Sequence, residues 1–517
     1  MPDPLRPAAD EKAELYTRDE PVTDEYRQAV AELEQHTNYE RDGNYPSGAG
    51  GLGTAMMEKI LARLDSPERR YYAVIIAGTK GKGSTAYLTA SLLTAKNWTT
   101  GLFTSPHLDT VRERIKINGA TVSPAKFAAA YRRVKNVVAA AERPTYFELL
   151  TAMALLIFAE AGVGLAVLEV GLGGRLDATN VAALSVLATA IMPVSLDHTE
   201  ILGDTVEKIA AEKAGVLRER TLLVLAPQPP AARAVILQRA ERLQCPVLEI
   251  GRDVLITRHG VRDGKQIYTL DFGKQELDRE PRRAYENLPL GLAGAHQLDN
   301  AAAAFCLADS PAQMLELSQD KFLALAATVG QWRRMQAETE MMPAEIEWAW
   351  RDLVVPGRFE TVAAAPHTII DGAHNAASGW ALAETLRETC AGYAPKIAVV
   401  GMSRDKKIAE FLRVVAPFFD YVFFTQSANG RAAAPEFLRE EAVKLFPDRA
   451  ERFRAGWTPV TATLAAQVLA GERGLVCVTG SFYLIGELRM LLLAEKFGAP
   501  AGRELTALRD EIRRAAE

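Results

Sequence analysis

Two series of short apolar runs alternating with helical segments, separated by a Pro-Gly break at 356–357, predict an α/β protein of two domains. A glycine-rich loop directly after the first run makes the N-terminal domain one of the P-loop ATPase type. The second, shorter series reads as a smaller, Rossmann-like α/β C-terminal domain. The expected organisation is a polar N-terminal extension over 1–40, a main domain over 41–355, a hinge over 356–366 and a C-terminal domain over 367–517.

The first series opens with YYAVIIA (71–77), a β-branched run that ends at a glycine and reads as a buried strand. A helix follows over 84–96, with Leu88, Leu92 and Leu93 at helical spacing. Residues 145–160 repeat that periodicity through Phe147, Leu150, Leu155 and Phe158. GLAVLEVG (164–171) and LSVLATAIMPV (184–194) are continuous apolar runs, the signature of parallel strands buried on both faces. Residues 22–35 predict a helix, 42–53 an ordered loop, 222–290 short strands and turns, and 311–350 a polar helical stretch. After VVPGRFE (354–360), HTIID (367–371), KIAVVG (396–401), DYVFFT (420–425) and LVCVTG (475–480) each precede a helical stretch.

The 517 residues suit two domains, and 48% hydrophobic with 24% charged residues is the balance of a globular protein. The net charge of -5 and the lack of a long basic run argue against nucleic acid as a partner. No apolar stretch approaches the about 20 residues a bilayer span needs, and the charged first thirty residues lack a secretory hydrophobic region. Four scattered cysteines show neither metal-ligand spacing nor a disulfide framework, so a reducing cytoplasmic setting is expected.

The loop after the first strand is Gly78-Thr79-Lys80-Gly81-Lys82-Gly83-Ser84-Thr85. Glycines allow backbone N–H groups to turn inward around a phosphate, and the helix that follows adds its positive end. Lys82 can reach terminal phosphates, and the Ser84 hydroxyl can ligate Mg2+. The spacing departs from G-x4-G-K-[ST], because the first glycine lies closer to the Gly-Lys pair and Gly83 intervenes before Ser84. A Gly/Lys-rich surface turn is the bland alternative. The order strand, loop, helix favours the phosphate reading.

Ligands of open α/β sheets bind beyond the carboxyl ends of the strands. Glu169 interrupts an apolar strand just before Gly171-Leu172-Gly173-Gly174, Asp197 and His198 follow the 184–194 strand, and Glu148 lies in the helix before the Glu169 strand. An acid in an apolar strand needs a partner or a metal. For Glu169, catalysis and a hydrogen bond to the turn are equally open. His198 reads as a Mg2+ ligand, a phosphate contact or a satisfied buried histidine, and spacing does not decide among them.

GTKGKGST (78–85), TSPHLDTVRERIKING (104–119), TYFELLTA (145–152), LEVGLGGRLDATN (168–180), DHTEILGDTVEKIAAEKAG (197–215), GAHQLDNA (294–301), PGRFE (356–360) and DGAHN (371–375) together resemble the folylpolyglutamate synthase/dihydrofolate synthase family of the Mur ligase superfamily. The resemblance runs from about residue 40 to the C-terminal end, and 311–350 is longer than usual for the family.

The resemblance implies ATP and Mg2+ as cofactors, with Gly78 through Thr85, Gln297, Asn300, Arg358 and Asp371 holding the nucleotide. It places the metal on Ser84, Glu148 and His198, and catalysis on Lys82, Lys213, His198 and Glu148. Lys213 of the EKAG motif matches a lysine carbamylated in the family, whereas without the motif it reads as an ordinary helix lysine paired with Glu212. Ser105, Pro106 and His107 fall in the pterin-side loop, and His374 and Ser481 match residues associated with the incoming glutamate.

The implied reaction transfers the γ-phosphoryl of ATP to a folate or dihydropteroate carboxylate, and the amine of L-glutamate then attacks the acyl phosphate. Domain closure about the hinge would exclude water from that intermediate. The implied partners are these small molecules, with neither nucleic acid nor membrane, and the implied state is a monomer. A bifunctional enzyme is expected. The rivals are a Mur-type ligase adding an amino acid to a peptidoglycan precursor, a kinase or NTPase switch, and a nucleotide-gated binding protein.

Overall fold

The computed structural model describes residues 22–42, 53–273, 283–317, 341–496 and 500–516. The chain forms two compact units, the first comprising Met1–Pro106, Val111–Gly291 and Gln297–Leu353, the second His107–Thr110, Leu292–His296 and Val354–Glu517.

The first unit is built on an eight-stranded sheet of order β4-β3-β2-β5-β1-β6-β7-β8. Its central strands β1 (Tyr72–Ala77), β2 (Thr100–Phe103), β5 (Leu165–Glu169), β6 (Ser185–Ile191), β7 (Leu222–Leu225) and β8 (Val247–Glu249) run parallel. The short β3 (Ile115–Ile117) and β4 (Ala120–Thr121) add an antiparallel edge. Val74, Ile75 and Ile76 of β1 are fully buried, as expected for a central strand covered on both faces. Helices Ala55–Arg63, Pro124–Val137 and Tyr146–Glu160 pack in the core on one side. Val206–Ala214 and Pro230–Arg242 bury Ile209, Ala210, Ala232 and Ile236 in a separate cluster with Leu223 and Leu225 of β7. β1 pairs with β5 so that Ile76 faces Glu169, and the acid falls at the carboxyl end of the sheet.

Residues 24–33 form the expected helix, and it belongs to the first unit rather than standing apart from it. Thr23 caps it by accepting from Tyr26 N at 3.2 Å, and Tyr26, Ala29 and Leu33 enter the core. Spacing these three at i, i+3 and i+7 gives one apolar stripe on an otherwise charged helix. The expected loop over 42–53 lies almost wholly outside the described residues. The helical reading of 311–350 can be followed only to Leu317 and again from Pro343 to Trp350.

The region 222–290 resolves into β7, a helix, β8 and an antiparallel three-stranded sheet of order β11-β10-β9, made by Val254–Arg262 (β9), Lys265–Phe272 (β10) and Arg283–Leu290 (β11). Asp263 and Gly264 join β9 to β10 with φ of 51° and 73°, the pair of positive values that a two-residue hairpin requires.

The second unit carries a six-stranded sheet of order β12-β13-β17-β14-β15-β16. All neighbours are parallel except β12 (Glu360–Ala363) and β13 (His367–Ile370). β14 (Lys396–Val400), β15 (Tyr421–Thr425) and β17 (Leu475–Thr479) coincide with the apolar runs of the sequence, and β16 (Phe453–Trp457) completes the edge. Val354 already belongs to this unit, so the expected hinge at 356–366 falls inside it.

Candidate active site

The loop at 78–85 joins β1 to the helix Lys82–Ala95. Gly81 has φ of 84°, and a β-carbon on it would lie 2.4 Å from Asn300 Oδ1. No other residue satisfies both the left-handed backbone and that contact. Asn300 is itself held by its Nδ2 donating to Gln297 Oε1 at 2.8 Å. Gln297 and Asn300, expected at the nucleotide, are therefore one helical turn that abuts the loop. Thr79 N donates to Pro193 O at 2.9 Å, and Ser195 N donates to Thr79 Oγ1 at 3.1 Å. These bonds tie the loop to the end of β6. Ser84 and Thr85 are buried at the head of the helix, and the Lys80 ammonium lies 3.5 Å from Asp197.

Lys213 is buried beside the loop. Only 4% exposed, it donates from Nζ to Gly78 O at 2.9 Å. Burial, with the Lys82 ammonium adding to it, pulls its pKa down to about 7. A substantial neutral fraction near physiological pH is what CO2 addition to an amine needs. The pairing of Glu212 falls elsewhere, with Arg175 at 2.9 Å.

Glu169 and Glu148 take different places. A β-carbon on Gly83 would meet Glu169 Oε1 at 3.4 Å, so the Glu169 carboxylate packs on the loop itself. Its Oε2 accepts from Ser105 N at 3.0 Å, which anchors the start of the TSPHL segment. Glu148 closes a capping box: its Oε2 accepts from Thr145 N at 2.7 Å and from Thr145 Oγ1 at 2.9 Å. It also faces a cavity shared with Asn38, Tyr39, Glu40, Phe147, Leu172 and Asp177. The carboxylate that the geometry brings to the loop is thus Glu169, and the metal role expected of Glu148 gains no support from its contacts. His198 begins the short helical turn Thr199–Leu202 with φ of 50°, and its side chain is 42% exposed.

Asp177 is a residue that the motif reading passed over. Buried to 6% exposure, it accepts from Leu172 N at 2.9 Å, Thr179 N at 3.0 Å and Thr179 Oγ1 at 2.6 Å. Burial pushes its carboxyl upward. The Asp-x-Thr spacing after a glycine turn was the available signal, because such pairs close on themselves. The wall at Asn38–Glu40 carried no sequence signal. It is fixed by Arg114, whose guanidinium spans Glu40 at 3.1 and 2.6 Å.

The second unit holds His107, Arg358, Asp371, His374 and Ser481. Asp371 accepts from Phe359 N and from Ala373 N, both at 2.9 Å, so it fastens the PGRFE turn to the end of β13. The Arg358 guanidinium lies 4.5 Å over the Phe482 ring. His374 Nδ1 donates to Gly372 O at 2.8 Å, which fixes the neutral ring's proton on Nδ1. Ser481 Oγ accepts from Tyr483 N at 3.1 Å. The structure thus places Lys82, Ser84, Glu169, Asn300 and Lys213 in the first unit, and the expected glutamate residues in the second.

The Mur ligase middle domain matches residues 76–308, and the Mur ligase glutamate ligase domain matches 357–482. The dihydrofolate synthase/folylpolyglutamate synthase of Bacillus subtilis is 31% identical over 449 residues, covering 85% of this chain and 95% of that protein. That of Mycobacterium tuberculosis is 33% identical over 479 residues, covering 87% and 92%. Among solved structures, the M. tuberculosis folylpolyglutamate synthase complexed with ADP and AMPPCP has a TM-score of 0.74 at 30% identity, covering 90% of this chain and 98% of that one. Escherichia coli FolC in complex with DHPP and ADP has a TM-score of 0.72 at 25% identity, covering 90% and 98%.

A phosphate loop at the centre of a parallel sheet, with a second α/β unit of the glutamate ligase type, defines an ATP-dependent, amide-forming ligase of the Mur class. Within that class the chain belongs to the dihydrofolate synthase/folylpolyglutamate synthase family. The match favours a folate acceptor over a peptidoglycan precursor. Among the described residues no helix is long and apolar enough to cross a membrane.

Proposed function

We propose that the chain is bifunctional, adding L-glutamate both to dihydropteroate and to reduced folates. The observation that carries the folate side of this reading is the cavity of Phe147, Glu148 and Asp177, lined also by Gly171 and Leu172 just after the strand bearing Glu169. An aromatic wall beside hydrogen-bonding carboxyls suits a flat, donor-rich ring system such as a pterin. The relatives from B. subtilis and M. tuberculosis carry both activities in their names, and this chain spans nearly their full length.

ATP is read as bound along 78–85, with backbone N–H groups and Lys82 drawing charge from the transferring phosphoryl group. An oxygen of the acceptor carboxylate attacks the γ-phosphorus and ADP leaves. The glutamate amine then attacks the acyl carbon, expelling phosphate and losing a proton. We assign acceptance of that proton to His374, whose Nδ1 donates to Gly372 O and so leaves Nε2 as the basic nitrogen of the neutral ring.

The hydroxyl of Ser84 and the carboxylate of Glu169 are hard oxygen donors against the loop and fit Mg2+, with His198 as a further candidate. Among the described residues no group of three or more His, Cys, Asp or Glu gathers into a metal site of its own. Such an ion would supply charge neutralisation between the β- and γ-phosphates. Lys213, buried and lowered in pKa, suits carbamylation, which would turn a buried cation into an anion beside the loop. Arg358 and Asp371 are assigned to the nucleotide, Ser105, Pro106 and His107 to the folate side, and Ser481 with His374 to glutamate. A cytoplasmic monomer completes the proposal.

The test is release of ADP with each substrate omitted in turn. Release that needs both L-glutamate and a folate supports the ligase cycle, and release independent of the amino acid overturns it.

A further inference from the structure

Arg489 is 5% exposed and is held by two carboxylates from distant parts of the chain. Its Nη1 donates to Asp109 Oδ2 at 2.6 Å, and its Nε and Nη2 donate to Glu360 at 2.8–3.1 Å. Glu360 also accepts from Gly357 N at 2.8 Å. All three side chains lie in the second unit and are almost wholly buried.

Burying such a cluster is expensive, and packed hydrophobic residues would stabilise a core as well or better. Its position gives it a use. Asp109 lies two residues after His107 of the pterin-side loop, and Glu360 two residues after Arg358 of the nucleotide turn. One planar fork therefore fixes both substrate-bearing segments against the helix Phe482–Lys496. The loop backbone is held there as well, because a β-carbon on Gly486 would lie 2.5 Å from Leu108 O.

We propose that Arg489 is a positioning residue that sets the His107 segment and the Arg358 turn in fixed register on the second unit. This rests on the proposed folate and ATP roles of those segments. Asp109 then serves the folate side of the fork and Glu360 the nucleotide side.

The experiment compares the full-length protein with Arg489→Lys, Arg489→Met, Asp109→Asn and Glu360→Gln, measuring KM for folate and ATP, and amide exchange at 107–110 and 357–360. Asp109→Asn should raise the folate KM at least about fivefold with the ATP KM within about twofold, and Glu360→Gln should do the reverse. Arg489→Met should raise both, and added to Asp109→Asn it should raise the folate KM no further. Arg489→Lys keeps the charge without the fork and should recover only part of the loss. Exchange at both segments should quicken at least about tenfold in Arg489→Met while β14 and β17 stay protected. Unchanged exchange at 107–110, or equal effects of Asp109→Asn and Glu360→Gln on both constants, overturns the proposal. Should the unaltered protein add glutamate to no folate, the functional reading falls, and the exchange result alone still decides the positioning claim.

Discussion

The Lys213 ammonium donates to the Gly78 carbonyl at 2.9 Å, so the first residue of the phosphate loop and the lysine of the EKAG motif are direct neighbours although 135 residues apart. Two consequences can be measured.

The first is a stability profile. The folded-state pKa of Lys213, about 7, lies below the ordinary 10.5, so between those values the unfolded chain binds a proton that the folded chain does not. Stability contributed by this group therefore rises as pH climbs from 7 towards 10.5, and its full cost applies below 7. Lys213→Met should flatten that slope in denaturant titrations run across the window. An unchanged slope would mean that the lysine does not titrate there.

The second is chemical. Lys213→Met should lower glutamate addition about 100-fold or more, as loss of a charged group beside the transferring phosphoryl does elsewhere. Isotopically labelled bicarbonate should give a carbamate signal in the unaltered protein that this variant lacks. No signal under saturating bicarbonate would remove the carbamate from the proposal.

Glu169 and Glu148 should separate cleanly. Glu169→Gln is expected to lower turnover about 100-fold or more and raise the Mg2+ requirement, because it removes a carboxylate beside Gly83. Glu148→Gln keeps a side chain that can close the capping box with Thr145, so it should leave stability nearly unchanged and act mainly on the folate KM through the cavity. A raised Mg2+ requirement in the Glu148 variant alone would reverse this assignment.

Gly81→Ala should raise the ATP KM about tenfold or more. The new methyl group meets Asn300 Oδ1 at 2.4 Å and the backbone is strained at φ of 84°. Initial rates at varied ATP read this directly, calorimetric titration should show a matching loss of nucleotide affinity, and the folate KM should change little.

Asp177→Asn should raise the KM for dihydropteroate with the ATP KM unaltered. The amide can still accept from Leu172 or Thr179 but carries no charge for a donor-rich ring. Equal losses for ATP and acceptor would point to collapse of the 171–180 turn instead.

Much of this architecture was legible in the residues. Runs such as YAVIIA and LVCVT have no solvent face, so their composition alone marks them as central parallel strands. The phosphate loop was legible for a related reason: closely spaced glycines, a lysine and a serine at a strand end leave few structural alternatives. That Glu169 rather than Glu148 lies against Gly83 was not legible, because it depends on which carboxylate the strand register carries there. The role of Asn38–Glu40 was hidden as well. That short polar stretch is held by Arg114, 74 residues away, and beside it Tyr146 N donates to Thr37 O at 3.0 Å. Without the EKAG resemblance Lys213 reads as an ordinary helix lysine with charged neighbours, and the fold shows it turned inward.

Glutamate transfer to folates is read by mass spectrometry. Dihydropteroate and tetrahydrofolate are offered separately with ATP, Mg2+ and L-glutamate. Both acceptors should gain the mass of a glutamyl residue, with ADP formed in step. Gain on one acceptor alone contradicts the bifunctional reading, and no gain on either while ATP is still hydrolysed contradicts the folate assignment itself.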